Sequence, residues 1–229
     1  MSSISQLVSE FAHTIGEPNN FGLRQHIKLL IGQVRNEVIR RSFEKHGYVD
    51  RVLTQRYKVS LTTINDGEIV LPEGYDDSDI VNIKRTLQQV PRPVRLTNNL
   101  PFDRVSSSGF KNNREFPFIK ETSARFRSAV PGLCAMPCYD YINGFIYLFP
   151  AEGKSIDINK IIIESAFEHP IEIEIDNGLV DPMSLLDDSN EWLLSEDMIG
   201  QIKEIILKRG LLTRLHQTNE IPNDVKFNQ

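Results

Sequence analysis

The sequence predicts an α+β fold in which N-terminal helices and a C-terminal helix pack on a mostly antiparallel β-sheet. Three observations predict it. Apolar residues recur at helical spacing from Ile4 to Val38, the period changes to alternation past Gly47, and a second helical stripe from Met198 to Ile206 follows the strand-like middle of the chain. Within that middle, Asn143–Gly144 joins two aromatic, β-branched runs, the signature of a two-residue hairpin.

Ile4, Leu7, Val8 and Phe11 define a short amphipathic arm that Gly16, Pro18 and Asn19–Asn20 stop. A stronger helix covers Leu23 to Lys45, with Leu23, Ile27, Leu30, Ile31, Val34 and Val38 on one stripe and Gly47 as its C-terminal stop. Tyr57, Val59 and Leu61 then alternate with Lys58, Ser60 and Thr62, as a half-buried strand does. Asp66–Gly67 suits a tight turn, with Glu68 to Leu71 as the returning strand before Pro72. Ile80 to Leu87 reads as a further strand, and Val90 to Val94 as extended edge or linker because its two prolines lack ladder donors. The Ser, Asn and Gly content of Asn98 to Asn113 predicts an exposed loop, while Phe116 to Val130 satisfies neither period. Cys138 to Phe149 is the hairpin turning at Asn143–Gly144, and Lys160 to Phe167 joins the same sheet before a turn at His169–Pro170. Ser195 caps the last helix, Glu196 and Asp197 face the positive end of its dipole, and Lys208, Arg209 and Gly210 close it. The organisation is an arm over 1–20, one α+β domain over 21–215 with an exposed loop near 98–113, and a polar tail over 216–229.

Composition narrows the function classes. The 229 residues, 40% hydrophobic and 25% charged, suffice for a self-supporting core without staples. A formal net charge of -5 with no Lys/Arg tract disfavours tight nucleic-acid binding. Cys134 and Cys138 alone cannot build a structural zinc site or a disulfide framework, and read as free thiols of a reducing cytoplasm. Met1 to Glu10 lacks the pattern of a signal peptide, and no apolar run approaches the roughly 20 residues that span a bilayer. The sequence is read as cytosolic in origin, with no membrane contact.

No constellation for chemistry stands out. The glycines are scattered singly, so no phosphate cradle forms, and His13, His26, His46, His169 and His216 show no ligand spacing. The acidic run Glu73 to Asp79 lacks the order of a calcium loop, and no Gly-x-Ser-x-Gly elbow occurs. The reading is therefore no enzyme, no cofactor and no metal. Arg24, Lys28 and Arg35 fall four and seven residues apart, which lines them up on one helix face as a possible contact for an acidic partner or as a solvated face.

The order of these features resembles the neck, or ring-adaptor, proteins of crAss-like tailed bacteriophages. The resemblance is carried by the helix Leu23-Arg-Gln-His-Ile27 to Arg41, the hairpin Tyr141-Ile-Asn-Gly-Phe-Ile-Tyr147, the strand Lys160 to Pro170 and the helix opening Ser195-Glu-Asp-Met-Ile199. It departs from the family pattern where Phe167-Glu-His-Pro170 replaces a Phe-Glu-Asp-Pro step. The resemblance implies a virion structural protein of the head-to-tail connector, assembled in the host cytoplasm. It also implies a homo-oligomeric ring, roughly twelve-fold, that meets the portal and other neck or tail proteins. Such a ring extends the portal channel, through which DNA passes without specific binding. Two readings from other classes compete: a monomeric cytosolic module that grips a peptide at a sheet edge, and a hydrolase using Cys138 or an acidic pair.

Overall fold

In the computed structural model, residues 4–64, 83–108, 114–120, 136–151, 155–176, 194 and 196–208 are described. They divide into two compact units, one built from the chain's N-terminal 53 residues and its C-terminal region, the other from the segment between them. Helices stand at both ends and an antiparallel sheet occupies the middle, so the fold is α+β.

The helical unit contains α1 (Ile4–Ile15), α2 (Phe21–His46) and, from the far end of the sequence, a helix over Glu196–Lys208. Asn20 caps α2 by accepting the Leu23 N–H at 3.1 Å, and Gly47, at φ 77°, ends it by donating to the Phe43 carbonyl at 2.7 Å. Over its 26 residues α2 runs about 39 Å. It packs against both other helices: Leu7, Val8 and Phe11 of α1 are buried, as are Ile27, Ile31, Val34 and Val38 of α2 and Met198, Ile202 and Ile206 of the C-terminal helix. Lys203 reaches Glu10 at 2.6 Å, which ties the last helix to the first.

The other unit is a sheet of six strands: β1 (Gln55–Thr63), β2 (Lys84–Thr86), β3 (Arg104–Ser107), β4 (Cys138–Ile142), β5 (Phe145–Phe149) and β6 (Lys160–Ser165). Their order is β3-β6-β1-β2-β5-β4, with every neighbouring pair antiparallel. Residues 55–60 of β1 pair with β6 and residues 61–63 with β2, so this strand holds the two halves together. Asn143 and Gly144 take φ of 52° and 87°, the turn that the Asn–Gly pair predicts between β4 and β5.

Residues 114–119 join the sheet's outer strands. Glu115 bridges Ser106 of β3, and the Phe116 N–H donates to the Val105 carbonyl at 2.8 Å. A few residues on, Phe118 bridges Tyr139 of β4 in parallel, with Ile119 N–H to Tyr139 O and Tyr139 N–H to Pro117 O both at 3.0 Å. The sheet is thereby closed into a barrel. Alternate side chains from every side point inward, among them Tyr57, Val59, Val105, Phe116, Tyr139, Ile146, Leu148, Ile161 and Ile163, and form one core. The opposite faces of β4 and β5 place Cys138, Tyr147 and Phe149 in a second cluster with Ile64 and Ile83.

Two readings of the sequence change. Arg104–Ser107, inside the expected exposed loop, is strand β3 with Val105, Ser106 and Ser107 buried. Small serines carry little strand signal of their own, and the pairing with β6, far away in sequence, supplies what local propensity does not. Pro170 does not end in a turn but opens α3 (Pro170–Asp176), where its missing N–H and fixed φ suit the first helical position; this helix packs on β1. With α3 named, the helix Glu196–Lys208 is α4. The returning strand at Glu68 to Leu71, the cap at Ser195 and the tail over 216–229 lie outside the described residues. Of the strand expected over Ile80 to Leu87, Lys84–Thr86 is observed.

Phe116 is the apolar wedge of the closing segment and is almost wholly buried. Phe116→Ala is expected to lose about 3–5 kcal/mol of barrel stability, read as a lower urea midpoint in the tyrosine signal; an unchanged midpoint would mean that the seam bears no load.

Candidate functional site

The pairing register places several loops at one end of the barrel. Gln55, at the start of β1, pairs with Ser165 at the end of β6; Arg104, at the start of β3, pairs with Glu164; and the β4–β5 turn sits beside the chain leaving β2, where Val90 N–H donates to the Gly144 carbonyl at 2.7 Å. From there residues 91–96 run extended alongside the continuation of β6, through a Pro93–Phe167 bridge, a Val94 N–H to Ala166 O bond at 2.8 Å and a Glu168 N–H to Arg92 O bond at 2.9 Å. The expectation of extended structure at the two prolines agrees with this.

These segments enclose a cleft of about 600 Å³. Arg92, Arg95 and Lys120 stand exposed around it, with Glu168 as the acidic member of its wall. Leu96, Leu100, Phe118 and Tyr141 supply its apolar surface. Tyr141 is fixed by an edge-on contact with Phe102, whose ring centroid lies 5.0 Å away at 75°. Phe118 leans on Tyr139 at 5.5 Å. Burial pushes the Tyr141 phenol above its ordinary pKa, the Arg92 charge opposes that, and Glu168 adds to it. Tyr139 is raised further, first by burial and then by Glu115, Asp103 and Asp140. The arrangement suits an anionic segment with an aromatic or aliphatic side chain, since cations ring an apolar floor.

The three cations singled out in the sequence go to different places. Arg24 is half-buried, donating to the Pro18 carbonyl at 3.2 Å and the Ser9 hydroxyl at 3.3 Å, so it fastens α1 to the start of α2. Lys28 is half-buried as well. Arg35 is fully buried, and its Nη1 donates to Asn36 Oδ1 at 3.1 Å. Burial pulls its pKa down to about 10, which still leaves the guanidinium charged at neutral pH. The three do not form one surface strip, because Arg35 shares the i±4 line of Ile31 and Ile39, both buried.

Cys138 is buried, His13, His26, His46 and His169 are exposed, and Cys134, His216 and the run Glu73 to Asp79 lie outside the described residues. Among the described residues no group of His, Cys, Asp and Glu could hold a metal ion, and no helix is long and apolar enough to cross a membrane. The cleft residues escape sequence reading because four separate segments supply them; the one local hint is Arg92 and Arg95 inside the proline-rich stretch.

A family model described as phage tail ring protein 2 matches residues 6–229. The chain belongs to that family. No curated protein matches the sequence. The match spans the helical unit and the barrel alike, and makes this ring protein a structural component of the phage tail. The resemblance read from the Leu23 to Arg41 helix, the hairpin, the strand from Lys160 and the helix opening at Ser195 therefore holds.

Two side chains of the ring protein give direct tests. Arg35→Ala is expected to lose about 2–4 kcal/mol through the cavity it leaves, and Arg35→Met, which keeps the length of the stem, to lose less; thermal melts of both variants decide. For Tyr139 the folded state holds the proton more tightly than the unfolded chain, so its contribution is complete below about pH 10 and is lost as pH rises beyond it. Urea midpoints should therefore fall with alkalinity, and Tyr139→Phe should flatten that fall.

Proposed function

We propose that this ring protein is a non-catalytic subunit of a homo-oligomeric ring in the head-to-tail connector, or neck, of a tailed phage. The ring has roughly twelve-fold symmetry, meets the portal on one side and other neck or tail proteins on the other, and extends the channel through which DNA leaves the capsid. It is assembled in the host cytoplasm. The match to the tail ring family over 6–229 carries this reading.

The physical features agree with it. A chain of net charge -5 suits a conduit that lets DNA pass without gripping it, because each phosphate contact would hold the duplex back. Cys138, packed among Ile64, Ile83, Tyr147 and Phe149, is poorly placed for a nucleophile, which supports a role in surfaces over one in chemistry. The competing reading, a module that adds a peptide to a sheet edge, loses its docking place where residues 114–119 already pair with β3 and β4.

Native mass spectrometry of the purified chain, together with peptide mass spectrometry of purified particles, tests the proposal. Discrete high-order rings and presence in the virion are expected. A strictly monomeric chain that is missing from particles would overturn it.

A further inference from the structure

We propose that the cationic cleft at one end of the barrel receives the acidic segment 65–82 of the adjacent copy, so that successive subunits join head to tail. This rests on the reading of the chain as a ring subunit and assigns the two surfaces that meet.

Charge is the first argument. In a chain of net charge -5, the cleft runs against the overall sign: among the described residues that line it, Arg92, Arg95 and Lys120 are basic and Glu168 is acidic. The complementary sequence is segment 65–82, where Asp66, Glu68, Glu73, Asp76, Asp77 and Asp79 occur with no Lys or Arg. Chemistry also matches: Tyr75 stands between Glu73 and Asp76, an aromatic ring flanked by carboxylates, and the cleft offers an apolar floor ringed by cations.

Position is the second. The segment is bounded by Ile64 and Ile83, which meet where the Ile64 N–H donates to the Ile83 carbonyl at 3.4 Å. That point lies beyond the end of β1, whereas the cleft gathers around the start of the same strand. The nine residues of β1 separate the two by up to about 30 Å of strand. Eighteen residues that must go out and come back reach at most about 30 Å at full extension. A chain could meet its own cleft only by running taut both ways, while a neighbour's cleft carries no such constraint. A cleft at one end of the barrel and a segment anchored through Ile64 and Ile83 at the other would make a heterologous contact between copies, which closes into a ring when the rotation per subunit divides the circle.

Charge reversal tests this on the full chain. One variant carries Arg92→Glu, Arg95→Glu and Lys120→Glu, all at exposed positions; another carries Asp76→Lys, Asp77→Lys and Asp79→Lys. Each alone is expected to lose rings in native mass spectrometry while its thermal melt stays that of the wild type. Mixed in equal amounts, the two should form rings again, with equal numbers of each, because every contact then pairs opposite charges. A cleft variant with Arg92→Gln, Arg95→Gln and Lys120→Gln gives a milder readout if reversal impairs folding: the concentration at half-assembly should rise at least about tenfold, and added salt should weaken wild-type rings in the same direction.

Four results would overturn the inference. Rings from either reversed variant alone would remove the contact. Rescue only when both reversals sit in one chain, and not in the mixture, would place the segment in its own cleft. Rescue of the cleft variant by Asp181→Lys, Asp187→Lys and Asp188→Lys would name a different acidic segment. Loss of duplex DNA binding with rings intact would make the cleft a phosphate site. A wild-type chain that forms no ring at all would instead sink the ring reading, and this inference with it.

Discussion

An open sheet leaves two rows of unpaired backbone groups, and in this barrel residues 114–119 remove both. The Phe116 N–H donates to the Val105 carbonyl on one side, and the backbone around Phe118 bonds to Tyr139 on the other. The seam is narrow, resting on single bridges where the strands proper have ladders of several residues. Much depends on it nonetheless. With the edges joined, inward side chains from five of the six strands meet in one core, and the loops at one end are held closely enough to enclose a cleft.

The helical unit solves a different problem. Its central helix places a guanidinium on the line of Ile31 and Ile39, where desolvation is severe. The long aliphatic stem lets Arg35 behave partly as a hydrophobic residue, and the bond to Asn36 satisfies part of the head. The rotation of α2 is set by the apolar line Ile27, Ile31 and Ile39, which carries Arg35 inward and leaves Leu29 exposed.

What the sequence discloses follows the range of the forces involved. The α1 and α2 stripes, the Gly47 stop, the alternation of β1 and the Asn143–Gly144 turn are set by neighbours within a few residues, and each stands where its period places it. Strand β3 does not, because Ser106 and Ser107 are strand residues only by virtue of Ile161 and Ile162 across the ladder. The alternating Ile171-Glu-Ile173 of α3 looks like strand, yet Pro170 and the packing on β1 decide for helix. For Arg35 the signal existed, since the i±4 line through Ile27, Ile31 and Ile39 runs through it, but a charged residue is ordinarily assigned to the surface. The cleft is the extreme case: Arg92, Lys120, Tyr141 and Glu168 share a wall only after the barrel has formed.

The helical unit draws its parts from both ends of the chain, with the barrel contributed by the sequence between. During synthesis α1 and α2 emerge early, but their third partner, α4, is translated only after the last barrel strand. The barrel too must wait, since β1 cannot find β6 until some hundred residues later. A ribosome that stops early therefore releases helices with an uncovered apolar stripe, which proteases and chaperones detect readily. Only a chain translated through Lys208 hides that stripe, so the nesting of one unit inside the other acts as a test of completeness before a subunit is offered for assembly.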